Sequence, residues 1–320
     1  NNWILLFAAL FVLFATMFPT LSEAITGERL TVGPPFFNKW MVPIGLVLLF
    51  LTGVGPMLAW RKSTVTAIRN QFQWPILAAL VTLGGVSYLG VGFWSSGLCF
   101  ALAAFTSWTI VQEFWRGARV RKDATGTDLF TALIGLFSRS RRRYGGYLVH
   151  VGVVLVFLGF AGNGAKVEEQ VHMKPGQQVV VGKYTVKYLQ LRIGDDGQKQ
   201  MVTAYMSVLR DGKPDGRVFP AKWYFRKHED QPTTEVAIRR GFAEDLSLVM
   251  PAVDLKDQTA SLGIIVNPLV NWIWTGFEAP LFRSSSTTYS APTRRLSRPR
   301  KSRASSSPLR WRVLLLPMST

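Results

Sequence analysis

Three histidines, His150, His172 and His228, have the widest chemical reach in this chain. None stands in the spacing of a metalloprotease helix or a nucleophile elbow, and no glycine-rich phosphate loop is present. The one cysteine, Cys99, lies inside an apolar run; it can form no internal disulfide and belongs to no zinc-type spacing. A nucleophile–base constellation is therefore absent, and no residue is assigned a catalytic acid or base role. His150 differs from the other two. It sits roughly one helical turn inside the apolar run that follows Arg141-Arg142-Arg143-Tyr144-Gly145-Gly146. An ionisable side chain within a membrane span is costly and marks a functional position. Three uses stay open: a hydrogen bond to a carbonyl of a neighbouring helix, axial ligation of a haem iron by the imidazole, and a proton relay. Gly145, Gly146 and Gly152 leave room for a flat macrocycle or for tight helix packing, and composition does not separate the two. His172 and His228 lie among Lys, Gln and Glu and read as solvated surface residues.

The elements around His150 are those of a polytopic membrane protein. The 48% hydrophobic content and mean hydropathy of +0.18 are too apolar for an ordinary soluble domain. A net charge of +18 invites a nucleic-acid reading, but its location argues against one. Residues 278–320 hold nine basic residues against one acidic, and 113–145 hold eight against three. Basic segments beside apolar runs are what the positive-inside rule expects of cytoplasmic loops. Five spans are expected in residues 1–163: Trp3–Phe18 ended by Pro19, Trp40–Trp60, Trp74–Gly92, Gly97–Val111 and the His150 helix. Loops 61–73 and 113–145 then fall inside, and 20–39, 93–96 and everything after 163 outside. Within 113–145 the short stretch Leu129–Phe137 reads as an interfacial amphipathic segment. In the first outside loop Pro34-Pro35 is expected to hold an extended backbone, keeping Phe36, Phe37 and Asn38 at the membrane face. These residues serve there as an aromatic anchor or as a partner-contact surface.

Residues 164–260 change character. Gln178–Val181, Tyr184–Arg192 and Met201–Leu209 alternate apolar and polar residues between turns such as Gly194-Asp195-Asp196-Gly197, the pattern of antiparallel strands. Residues 261–277 read as the start of a final, sixth membrane helix. Residues 278–320, rich in Ser, Arg and Pro without periodicity, read as a disordered basic tail. The fold class is thus a polytopic helical membrane protein of about six spans carrying an inserted antiparallel β-rich domain. The chain opens on Asn1-Asn2-Trp3, and its first apolar run has neither a basic leader nor a cleavage site, so it reads as starting partway through a larger protein.

Several stretches together resemble the C-terminal half of the CcmF-type cytochrome c haem lyases. They are Val32-Gly33-Pro34-Pro35-Phe36-Phe37-Asn38, Gly53-Val54-Gly55-Pro56 and Arg143-Tyr144-Gly145-Gly146-Tyr147-Leu148-Val149-His150-Val151-Gly152. Phe219-Pro220-Ala221-Lys222, Thr234–Ile238 with Glu244-Asp245-Leu246, and Asn267-Pro268-Leu269-Val270-Asn271-Trp272-Ile273-Trp274 follow in the family's order. The resemblance covers residues 1 to about 275. It implies a multi-pass protein of the bacterial cytoplasmic membrane, with residues 164–260 periplasmic, that helps attach haem to the CxxCH sites of apocytochrome c. It further implies a b-type haem held between two transmembrane histidines, with His150 at one of the two axial positions. The implied partners are apocytochrome c, a periplasmic haem chaperone, other maturation subunits and the family's own N-terminal half. That half carries the second haem-b histidine and the tryptophan-rich haem-handling motif, and no Trp-Trp pair exists here. After Trp274 the family's final helix gives way to Arg/Ser/Pro-rich sequence, as a shifted reading frame would produce. The competing readings are a haem or solute transport component, which would line several spans with polar residues, and a non-catalytic scaffold displaying the β-domain.

Overall fold

A computed structural model describes residues 2–57, 65–91 and 94–278. The tail at 279–320, Trp60, Arg61, Lys62 and Phe93 lie outside the described residues.

Helices account for the N-terminal half: α1 (Asn2–Thr26), α2 (Pro34–Val54), α3 (Val65–Tyr88), α4 (Trp94–Thr125), α5 (Leu129–Arg139) and α6 (Arg141–Ala161). Four segments are long and apolar enough to cross a membrane: Asn2–Thr26, Pro34–Met57, Trp94–Thr125 and Arg142–Ala165. In hydrocarbon each backbone group must be satisfied within its own segment, which is why such runs coil into helices. α3 is as long, but Arg69, Asn70, Gln71 and Gln73 occupy its first turns and dilute its apolar character.

The helices overrun the expected loops. α1 continues through Pro19 to Thr26, because one proline removes a single backbone bond without forcing a long helix to end. Pro34-Pro35 opens α2 instead of holding an extended loop. At the first helical positions the missing N–H would be unpaired anyway, and the fixed φ already suits a helix. Most of the basic stretch 113–145 is helical too, shared by the end of α4, by α5 and by the start of α6. Gly126–Asp128 and Ser140 interrupt it, with Asp128 capping α5 through Thr131 N at 2.9 Å. The Thr131 side chain, and after it the Thr131 N–H, hold the Asp128 carboxyl below the usual carboxylate range.

Close approaches fix how the helices pair. At Gly53 of α2 an added Cβ would meet Thr106 Oγ1 at 2.8 Å and Phe105 at 2.9 Å on α4. Thr106 Oγ1 donates to Leu49 O at 3.1 Å. Gly45 of α2 faces Phe157 of α6, and Cys99 Sγ of α4 donates to Phe157 O at 3.3 Å. The start of α2, the start of α4 and the end of α6 therefore share one end of the bundle. Arg69 of α3, Arg116 to Lys122 of α4, and Arg142 and Arg143 of α6 lie toward the other.

The β-domain follows α6 through a 3-10 turn. Strands β1 (Val167–Met173), β8 (Ala237–Arg239), β9 (Glu244–Asp254) and β10 (Thr259–Pro268) form a four-stranded sheet in the order β1-β10-β9-β8. The second sheet runs β2 (Gln178–Val181), β3 (Tyr184–Asp195), β4 (Lys199–Arg210), β6 (Ala221–Phe225) and β7 (His228–Glu235), with β5 (Lys213–Val218) pairing with β4. Every pairing is antiparallel. Strand alternation sends Val202, Ala204, Met206 and Val208 inward from one sheet and Leu246, Leu248, Met250, Leu262 and Ile264 from the other, making one shared core.

The apolar run that begins at Leu262 divides. Leu262–Pro268 belongs to β10, and α7 (Val270–Glu278) begins only after Leu269, whose φ is +59°. Leu262, Ile264 and Val266 are needed to close the sandwich core, so the sheet takes residues that length alone would assign to a helix. α7 then packs antiparallel against α6. An added Cβ at Gly276 would meet Gly152 O at 2.5 Å, and one at Gly159 would meet Ile273 N at 3.1 Å.

Candidate functional site

His150 lies midway along α6, half-buried in the bundle. Its Nδ1 is fully buried and has no hydrogen-bond partner among the described residues. Among the described residues the ring makes no hydrogen bond to a neighbouring carbonyl. A buried polar atom left unbonded costs about 1–3 kcal/mol, which a ligand or a further polypeptide would recover. Next to it on the same helical face, four residues back, is Gly146, where an added Cβ would meet nothing within 4 Å. An imidazole presented from the middle of a membrane-length helix fits a group such as haem: the outer ring nitrogen would take the iron, and Nδ1, unpartnered here, would be left to a hydrogen bond. Neither of the other two histidines lies in the bundle. His172 and His228 lie on β1 and β7, and His172 Nδ1 is 2.8 Å from Ser261 Oγ. Among the described residues no group of His, Cys, Asp and Glu could hold a metal ion by itself.

One turn toward the basic end lies a cluster that residue spacing did not reveal. Glu113 of α4 has a side chain only 2% exposed. Its carboxylate accepts from Arg116 Nη1 at 2.9 Å, Arg143 Nη2 at 2.5 Å and the Tyr147 hydroxyl at 3.0 Å. Tyr147 in turn sets its ring edge-on to His150, with centroids 6.4 Å apart. The carboxylate thus ties α4 to α6 and braces the aromatic neighbour of the histidine. The sole sequence cue was an acidic residue next to an apolar run; Arg116 is three residues along, but the partners on α6 stand 30 and 34 residues away.

Pro34, Pro35, Phe36, Phe37 and Asn38 form the first turn of α2, at the opposite end of the bundle from this cluster. Phe36 stacks on Phe11 of α1 at 5.7 Å and meets Phe37 edge-on at 5.9 Å. The turn therefore clasps α1 while Pro34, Pro35 and Asn38 remain exposed. The structure does not bring it to His150; the two occupy separate places on one bundle.

Two of the sequence stretches meet at the base of the β-domain. Asp245, 6% exposed, accepts from Gly241 N at 2.9 Å and from Asn271 Nδ2 at 2.7 Å. Asn271 Nδ2 also reaches Gly241 O, and Trp272 Nε1 donates to Phe242 O at 3.0 Å. The turn before β9 is thereby fastened to α7, and α7 to α6.

Residues 164–268 match the protein family described as CcmF C-terminal beta-sandwich. The cytochrome c-type biogenesis protein CycK of Rhizobium meliloti is 30% identical over 291 residues, covering 86% of this chain and 40% of that protein. The cytochrome c-type biogenesis proteins CcmF of Pseudomonas aeruginosa and Haemophilus influenzae are 27% and 25% identical over 86% of this chain, and 41% and 42% of their own lengths are covered. The chain therefore spans about two fifths of the curated relatives it matches. A solved structure titled Cytochrome c Heme Lyase CcmF shares the fold, with a TM-score of 0.68 and 23% identity over 90% of this chain and 44% of that one. The likeness runs through helices and β-domain alike, and it is to the C-terminal part of these proteins.

Proposed function

We propose that this chain, the counterpart of the C-terminal part of the CcmF-type proteins, works in cytochrome c maturation as a membrane component of a haem lyase, with His150 as one axial ligand of a b-type haem. The observation that carries this reading is a histidine midway along a membrane-length helix whose Nδ1 has no partner among the described residues, with room left one turn back at Gly146. Imidazole is a common haem ligand. When bound, such a haem supplies one-electron chemistry near the centre of the bundle. The chain's own residues hold its place. α6 presents the ring, Tyr147 limits its tilt from one side, and Glu113 with Arg116 and Arg143 pins that stretch of α6 to α4. The second axial histidine comes from the N-terminal half of such a protein.

Attachment of haem to a CxxCH site asks this chain for no general acid or base. Holding haem near two thiols and excluding water supplies the acceleration through proximity. The partners are apocytochrome c, a periplasmic haem chaperone and other maturation subunits. They meet the β-domain and the exposed start of α2, which share one end of the bundle. The arginines gathered at the other end support a cytoplasmic placement there and a periplasmic β-domain, in the bacterial inner membrane.

The test is a haem spectrum of the protein purified together with the N-terminal half of a CcmF-type protein. His150→Ala is expected to abolish the reduced b-type bands, and His150→Gly to regain them on addition of imidazole. A wild-type spectrum in His150→Ala overturns the assignment.

A further inference from the structure

The arginine-bearing end of the bundle also holds a cleft. α4, α5 and α6 enclose about 540 Å³ there, with Arg116, Arg121, Ser140 and Arg143 on its walls. Three arginines thus line one cavity. No carboxylate lines the cleft among the described residues, and Arg116 and Arg143 share the single carboxylate of Glu113. Arg121 is half-buried and makes no ion pair among the described residues. Its guanidinium lies against α5 at Gly135, where an added Cβ would collide with it. The charge in the cleft is therefore unbalanced, and a guanidinium fork suits phosphate oxygens in particular.

The surroundings of the cleft say what carries the phosphate. α5 buries Ala132 and Leu136 toward the bundle, as an amphipathic helix should. It also shows a second apolar stripe at one-turn spacing: Phe130, Ile134 and Phe137 are 70%, 57% and 42% exposed. Val120 of α4, on the cleft wall, is 64% exposed. A free anion would satisfy the arginines and leave this stripe bare. An amphiphile with an anionic head and apolar tails covers both.

We propose that the cleft between α4, α5 and α6 binds the phosphodiester headgroup of an anionic phospholipid, whose acyl chains lie along Phe130, Ile134 and Phe137. Arg116, Arg121 and Arg143 take the phosphate oxygens, and Ser140 adds a hydroxyl donor. Basic pockets between spans that accept anionic headgroups are an established kind of lipid recognition. Here the occupant also neutralises charge one turn from the Tyr147–His150 pair, since Arg143 belongs to both the cleft and the Glu113 cluster.

Native mass spectrometry of the full chain in detergent, offered phosphatidylglycerol, phosphatidylcholine or inorganic phosphate, tests this. Phosphatidylglycerol should be retained over phosphatidylcholine, and millimolar phosphate should not displace it. Arg121→Gln should weaken that retention by about fivefold, while Lys122→Gln, one residue along and outside the cleft, leaves it unchanged. Arg121→Lys, which keeps the charge but loses the fork, should fall between, and far-UV circular dichroism establishes that each variant is folded. Equal retention of the two lipids, or wild-type retention in Arg121→Gln, overturns the proposal. Phosphate binding that phosphatidylglycerol fails to compete away would assign the cleft to a soluble anion and overturn it as well.

Discussion

The Glu113 cluster permits a prediction in which the less intrusive substitution is not the obvious one. The carboxylate is 2% exposed, while the side chains of Arg116 and Arg143 are 49% and 60% exposed. The anion is thus desolvated and its partners are not. Arg143→Gln removes one charge-assisted bond, worth about 1.5–3 kcal/mol, and leaves the buried charge to Arg116 and Tyr147. Glu113→Gln removes the buried charge itself, keeps an oxygen for the Tyr147 hydroxyl and lets both guanidiniums rehydrate. Its cost should stay near or below about 1 kcal/mol, since neutral replacement of a buried ion pair is often tolerated. The double variant should be close to Glu113→Gln alone, a coupling of about 1.5–3 kcal/mol, the whole cost of Arg143→Gln. The assay is equilibrium unfolding of the full chain in mixed micelles, run as a double-mutant cycle. If Glu113→Gln is the more damaging single change, or the two effects simply add, the carboxylate is not the desolvated hub described here.

Two further outcomes follow from the β-domain and its base. Asn271→Ala should cost about 1–3 kcal/mol, because Asp245 stays buried without its side-chain amide partner; protease digestion of the full chain should then cut first around residues 240–244. The second outcome depends on pH. The Arg239 guanidinium, bonded to both Asp215 oxygens at 2.6 and 2.7 Å, holds that carboxyl below the usual carboxylate range. Its contribution is present above the ordinary aspartate value near pH ~4 and is lost as pH falls through the lower folded value. Arg239→Ala should therefore cost at most about 1 kcal/mol at neutral pH, and its difference from wild type should shrink below pH ~4 in urea titrations.

How much of this was legible in advance can be argued from single residues. Val202, Ala204, Met206 and Val208 are all 0% exposed, as period-two alternation requires, so the strands were readable. His150 stood out because charge and apolar context disagreed at one position. The far end of α4 was misread because Arg116, Arg119 and Arg121 look like loop chemistry, yet a helix tolerates any residue that its outward face can solvate. Pro34-Pro35 misled because proline's missing N–H, disruptive inside a helix, costs nothing at its first turn. The run at Leu262–Val266 was ambiguous by nature, since a short buried strand and a buried helix start share one composition. The Glu113 hub could not be found from spacing, because its bonds to Arg143 and Tyr147 join residues that only tertiary packing brings together.

One arrangement at the base of the β-domain has a mechanical result. The chain enters the sandwich on β1 and leaves it on β10, and these strands are adjacent, with Val167 opposite Val266. The domain stands on two legs, α6 on one side and α7 on the other, joined at their tops by a ladder of backbone bonds. A body on a single stalk can swivel; one on paired stalks gives up rotation and keeps only a rocking motion about the line through both. A load applied to the sandwich by a docking protein would reach the histidine helix as tilt, without torque.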